Sequence, residues 1–170
     1  MGLQQVATNT VSSTVSSVTL TGIDDNSIYM VSINNATFAS DKVLYFRFTE
    51  SGSANSTNNY DRAGKGIRAG SSFYNNSATN ANVGYIDASR LENSTGANGI
   101  LFIYNANDNS DFTYVNNQSV GERESNQGLT VTGLIGGQVF TVNSQVDGIA
   151  FMLESSENFT GGTFTLWKLI

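Results

Sequence analysis

A single antiparallel β-sandwich, all-β and jelly-roll-like with about eight to ten strands, is the expectation for this 170-residue chain on three grounds. Short segments alternate apolar and polar residues at period 2, the side-chain period of a strand lying on a core. Clusters of Asn, Asp, Ser and Gly separate those segments and suit tight turns. No 11-residue window keeps an i, i+3, i+4, i+7 apolar stripe free of Gly or paired Asn, so one helical turn is the most that is expected. The length fits one domain able to bury about 70% of the surface its unfolded chain exposes.

Residues 1–14 are polar and lack periodicity, and they are expected to form an N-terminal arm that orders only against a partner, through Leu3 and Val6. Residues 15–170 then form the sandwich, with strands expected at 15–21, 27–34, 42–49, 82–87, 99–105, 111–116, 129–134, 138–142, 146–154 and 163–170. In the third of these, Leu44, Phe46 and Phe48 alternate against Val43, Tyr45 and Arg47, one face in the core and one face amphipathic. Segments 27–33 and 100–104 are apolar on both faces, so they lie centrally or have one face covered by another copy of the chain. Turns are expected at Asp24-Asp25-Asn26, Asn107–Ser110, Gly136-Gly137 and Gly161-Gly162, with a shorter polar excursion at 121–128. Between the third and fourth strands, 51–80 reads as a long connection containing Tyr60, Ile67, Phe73 and Tyr74. The final strand puts Phe164, Leu166 and Lys168 on one face and Thr165, Trp167 and Leu169 on the other, so Trp167 faces either the second sheet or a partner.

Composition removes many chemistries. The chain has no Cys and no His, and thiol chemistry, thiolate or imidazole metal sites and Ser-His-Asp catalysis go with them. Eight Lys and Arg are scattered through a chain of net charge −6, with no basic stripe for nucleic acid. Charged residues make up only 13%, so the surface is built from Asn, Ser, Thr and Gly. No apolar run approaches a membrane span of about 20 residues, and the N-terminus lacks a signal-peptide pattern, which implies synthesis in a cytoplasm. The N-x-[ST] sequons at Asn35, Asn55, Asn75, Asn93, Asn117 and Asn158 are then expected to stay bare. Asn105, Asn107, Asn109 and Asp111 alternate like the start of a calcium loop, but Ser110 and Asn116 occupy its Gly and Glu positions, so a hairpin turn is the better reading. No catalytic residue, metal ligand or cofactor is assigned, and the protein is expected not to be an enzyme. The segment Tyr60-Asp61-Arg62-Ala63-Gly64-Lys65-Gly66-Ile67-Arg68 reads either as a partner or glycan contact through Tyr60, Arg62, Lys65 and Arg68, or as a loop pinned by an Asp–Arg pair.

The order Gly99-Ile100-Leu101-Phe102-Ile103-Tyr104-Asn105, then Gly136-Gly137, then Val146-Asp147-Gly148-Ile149-Ala150-Phe151-Met152-Leu153, closes with Phe159-Thr160-Gly161-Gly162-Thr163-Phe164-Thr165-Leu166-Trp167. Over roughly residues 40 to 170 it resembles a β-module of small tailed-phage virion structural proteins, of the marine and cyanobacterial phage type, also found at tail-fibre tips. Lys168-Leu169-Ile170 stands where the family often has a terminal Gly. The resemblance implies a capsid decoration or cement protein on the outer surface of the phage particle. Its implied partners are further copies of itself, expected as a homotrimer, and the major capsid protein or other virion proteins. The alternative it implies is a tail-fibre or tail-tip receptor-binding protein that recognises host glycans, for which Tyr60, Tyr74 and Tyr85 are the candidate stacking residues.

Overall fold

The structure, a computed structural model, describes residues 2–70, 73–126 and 128–170. Its strands are β1 (Leu3–Thr10), β2 (Ser17–Thr21), β3 (Tyr29–Phe38), β4 (Leu44–Glu50), β5 (Ser53–Ala54), β6 (Tyr60–Arg68) and β7 (Tyr74–Ala81). They continue with β8 (Gly84–Tyr85), β9 (Ala97–Tyr104), β10 (Thr113–Ser125), β11 (Gly128–Phe140), β12 (Gly148–Leu153) and β13 (Phe159–Leu169). Two antiparallel sheets result. The larger has the order β1-β13-β3-β9-β10-β11-β6-β7; the smaller has the order β2-β12-β4-β5, with β8 also paired to β4.

Four pairings are nested inside one another: β1 with β13, β2 with β12, β3 with β9 and β4 with β8. That nesting wraps the chain as a jelly roll, with β1-β13-β3-β9 facing β2-β12-β4-β8. Two insertions widen the larger sheet beyond the smaller. The β6–β7 hairpin enters between β4 and β8, and the β10–β11 hairpin enters between β9 and β12.

The alternation seen in sequence is what fills the core. Leu44, Phe46 and Phe48 of β4 meet Ile149, Phe151 and Leu153 of β12 on the inner face of the small sheet, opposite Val31, Ile33, Leu101, Ile103, Phe164 and Leu166 of the large one. Two aromatic groups anchor the packing: Phe48, Tyr60 and Phe140, with Tyr60 and Phe140 ring centroids 4.9 Å apart, and Phe151, Phe159 and Phe164, with Phe151 and Phe164 5.1 Å apart. Each fully buried ring contributes about 1.5–3 kcal/mol of transfer free energy. Segments 27–33 and 100–104 become β3 and β9, neighbours at the middle of the large sheet, as their two-sided apolar character required. One helical turn occurs among the described residues, Glu154–Ser156.

Several expected boundaries are corrected. Residues 3–10 are a paired strand rather than a free arm: β1 hydrogen-bonds along β13, Gly2 and Ile170 exchange backbone hydrogen bonds at 2.7 and 3.0 Å, and Val11 is a core residue. The connection 51–80 contains the β6–β7 hairpin. Gly136-Gly137 is no turn but the middle of β11, and the two strands expected on either side of it are one. Glycine is needed there because a Cβ on Gly136 would lie 2.7 Å from the Ala63 carbonyl oxygen and 2.8 Å from Gly64 Cα. Of the expected excursion at 121–128, residues 121–125 continue β10 and pair with 128–132 of β11. Gly161-Gly162 lies where the β13–β3 register shifts, a bulge within the strand.

Candidate binding surfaces

Three regions of the sandwich have the makings of a site: the outer face of the large sheet, a buried polar layer under its extension, and a cleft on the outer face of the small sheet.

On the large sheet, every second residue of the central strands points away from the core. Trp167, Met30 and Phe102 sit side by side in register across β13, β3 and β9. The next rows add Ile100 and Ile135 around Gln118, and Tyr104, Tyr114 and Val139. Ile100, Tyr114, Val120 and Ile135 each leave 45–49% of their surface in solvent. From Thr163–Leu169 through Met30–Asn34 and Asn98–Tyr104 to Tyr114–Val120, no outward position carries a charge. In a chain of net charge −6 this is a broad uncharged face, its apolar groups interspersed with Ser32, Asn34, Asn98, Asn116 and Gln118. Trp167 belongs to it and not to the space between the sheets: its ring is half-buried, and its Nε1 donates to Ser32 Oγ at 3.1 Å.

The buried polar layer centres on Asp87, which has no exposed surface. Its Oδ1 accepts from the Ser89 amide at 2.8 Å and its Oδ2 accepts from Ser119 Oγ at 2.8 Å. Ser89 Oγ in turn lies 2.8 Å from Thr132 Oγ1 and 3.0 Å from the Tyr74 hydroxyl. Burial pushes the Asp87 carboxyl above its ordinary value, opposed by these bonds and by the Arg68 charge. The layer satisfies polar groups where β10 and β11 run past the small sheet. Ser89 Oγ also accepts from Arg68 Nη2 at 3.3 Å, so the layer ties β6, β7, β10 and β11 to the Asp87–Ser89 segment.

The cleft, of about 440 Å³, lies between Tyr45 and Arg47 of β4, Tyr85 of β8, Arg62 of β6 and the Ser155-Ser156 turn. Tyr45 and Arg47 alternate with core residues, so it opens on the side of the sandwich opposite the uncharged face. The Arg62 guanidinium lies over the Tyr85 ring at 3.7 Å, and the Tyr45 and Tyr85 ring centroids are 4.9 Å apart. Burial and the neighbouring Tyr85 phenol hold the Tyr45 hydroxyl well above its ordinary pKa, so it stays a protonated donor.

The residues singled out in the sequence therefore scatter. Leu3 is exposed on β1 opposite Leu169, and Val6 packs against the core from the same strand. Tyr60 is 1% exposed; its hydroxyl accepts from the Phe48 amide at 2.9 Å and donates to the Asn55 carbonyl at 3.2 Å, so it is a core residue and no partner or glycan contact. Lys65 points outward on β6 and bonds Asn75, whereas Arg62 and Arg68 point to the other side, each stacked on a tyrosine. Asp61 accepts from the Asn80 amide at 2.7 Å, so cation–ring stacking holds this segment in place of the Asp–Arg pair. Of the three tyrosines, Tyr85 reaches the cleft, and Tyr74 covers Gly66 and bonds Ser89. Tyr45 and Arg47 escaped sequence reasoning, because their alternation with Phe46 and Phe48 marks only an outward face.

Among the described residues no group of three acidic, His or Cys side chains is placed to hold a metal ion. At the Asn105–Ser110 turn, Asp108 Oδ1 caps the Ser110 amide at 2.9 Å and Oδ2 accepts from Asn26 Nδ2 at 2.9 Å. No described helix is long and apolar enough to cross a membrane. No protein-family model matches the chain, and neither a curated protein nor a solved structure matches it.

Proposed function

We propose that this protein is a phage virion structural protein, a capsid decoration or cement protein that acts by binding, as a homo-oligomer on the outer surface of the particle. The observation that carries the reading is the uncharged face of the large sheet, centred on Met30, Ile100, Phe102 and Trp167. The closing strand up to Trp167 is, with the strand before it, also the most specific part of the resemblance to the virion module. A face without charge can meet a second copy of itself without like-charge repulsion, although each protomer carries −6 overall. Standard interfaces bury about 800 Å² per partner, and at about 25 cal/mol per Å² of apolar area even a modest contact becomes firm when several copies engage at once. The homotrimer and the major capsid protein as the second partner belong to the same proposal.

The experiment is light scattering on the purified protein beside Ile100→Lys, together with a count of copies per particle. Oligomers that dissociate in Ile100→Lys with an unchanged thermal midpoint, and copies on the order of hundreds per particle, are the expected results. A strict monomer that does not bind capsids overturns the proposal. About a dozen copies or fewer replaces decoration with the tail-tip role.

A further inference from the structure

We propose that the cleft on the outer face of the small sheet binds a carboxylate-bearing saccharide, with Arg47 and Arg62 on the carboxylate and the Tyr45 ring, backed by Tyr85, against the sugar. The proposal is independent of the decoration reading, because the cleft and the uncharged face lie on opposite sides of the sandwich, and it gives the tail-tip alternative a definite ligand class.

The charge pattern is the first argument. Among the described residues the ion pairs join Arg90 to Glu154 and Lys168 to Asp24 and Asp25. In a chain with 14 acidic residues and eight basic ones, Arg47 and Arg62 face one cleft with no carboxylate partner among the described residues. Each spends its Nε on a neutral acceptor: Arg47 on the Asn82 carbonyl at 3.0 Å, Arg62 on Asn76 Oδ1 at 2.9 Å. Those bonds orient the guanidinium groups through Nε alone, without using their terminal nitrogens. Arg62 Nη1 is buried and has no hydrogen-bond partner, a state that buried donors rarely keep. A carboxylate matches the planar guanidinium fork and supplies the acceptor.

Shape and lining select the rest of the ligand. About 440 Å³ falls within the roughly 300–1,000 Å³ of small-molecule sites. The Tyr45 ring and Met152 offer apolar surface that a bare sulfate or phosphate cannot use and that the C–H face of a pyranose can, with Tyr85 covered by Arg62 and packed against Tyr45. Arg62 clamps the Tyr85 ring from 3.7 Å, so part of the platform is fixed before a ligand arrives. At the rim, Ser155 and Ser156 both hold left-handed backbone, with φ of 60° and 56°. Such conformations are strained in non-glycine residues, and here they lie at the edge of the cleft.

The test is calorimetric titration of the full chain with glucuronate, glucose and sulfate. Glucuronate is expected to bind, and glucose and sulfate to bind at least about tenfold more weakly. Arg62→Gln and Arg47→Gln are each expected to lower glucuronate affinity roughly 10- to 100-fold, while Lys65→Gln, on the other side of β6, leaves it unchanged. Arg47 is partly exposed and unstacked, so Arg47→Gln keeps the test valid should Arg62→Gln fail to fold. Absence of glucuronate binding overturns the proposal. Equal binding of glucose or sulfate does the same, as does wild-type affinity in a folded Arg47→Gln.

Discussion

Leu166 and Trp167 are adjacent on β13 and point to opposite sides of the large sheet, so substituting each by Ala separates core from surface. Leu166 has no exposed surface, and its backbone is held on both flanks, by Val31 of β3 and Ala7 of β1. A strand pinned on both sides cannot collapse into the space a shortened side chain leaves. The cost of Leu166→Ala therefore falls in the upper part of the ~2–5 kcal/mol range for buried leucine truncation, at about 3–5 kcal/mol. For a domain of this size that lowers the thermal midpoint by roughly 6–20 °C. Trp167→Ala removes a half-buried ring and one hydrogen bond to Ser32 from the outer face, where water fills the space, and about 1 kcal/mol is expected. Urea unfolding followed by circular dichroism, at a concentration where both variants are monomeric, reads the two costs. Leu166→Ala should move the midpoint at constant slope, and Trp167→Ala should barely move it while weakening self-association. Equal destabilisation by the two would refute the assignment of opposite faces.

Two further perturbations follow from the fold. Asp87→Asn tests the buried carboxyl: its pKa is raised above 3.8 in the native state, so its contribution to stability is complete below that value and is lost as pH rises through the folded pKa. Asp25, Glu92, Asp108 and Glu157 have lowered values and act in the opposite sense, losing their contribution as pH falls. Only the difference between variant and wild type isolates Asp87, and thermal midpoints from pH 4 to 8 should show Asp87→Asn gaining on wild type as pH rises; parallel curves would refute it. Deletion of residues 2–11 removes β1 and the buried Val11 and bares the β13 edge, so a lower midpoint and aggregation are expected, where a free arm would leave both unchanged.

The sequence was most legible where one side of a strand meets the core and the other meets water, as in β4, or where both sides are apolar, as in β3 and β9. It was least legible where the large sheet overhangs the small one. On β6 the inward positions after Tyr60 are Arg62, Gly64, Gly66 and Arg68, because what faces them is tyrosine rings and serine hydroxyls rather than a core. Gly66 is small for a definite reason: a Cβ there would fall within 1.9–2.5 Å of the Tyr74 ring, its cross-strand neighbour. Such a strand shows no alternation and reads as a loop. The same holds for β1, whose few apolar groups reach the core only at Val6, Ala7 and the flanking Val11. The cleft is half visible in the sequence, where Arg62 and Tyr85 are separate glycan-contact candidates, but their meeting with Tyr45 and Arg47 depends on β8 pairing with β4.

The nesting of the four strand pairs also dictates how the molecule comes together in time. Leu3 pairs with Leu169 and Thr21 with Gly148, so the outermost ladders join the ends of the sequence. The β4–β5, β6–β7 and β10–β11 hairpins, together with β9 against β10, are local enough to form early. High contact order of this kind places folding in the range of about milliseconds to seconds, because loop closure must be achieved before distant strands reward it. Until β13 arrives, β3 presents an open edge in a chain without a single proline to block it. The interval between synthesis and closure is therefore when the chain is most exposed to pairing with its neighbours, and high expression or raised temperature lengthens the odds against correct closure through that edge.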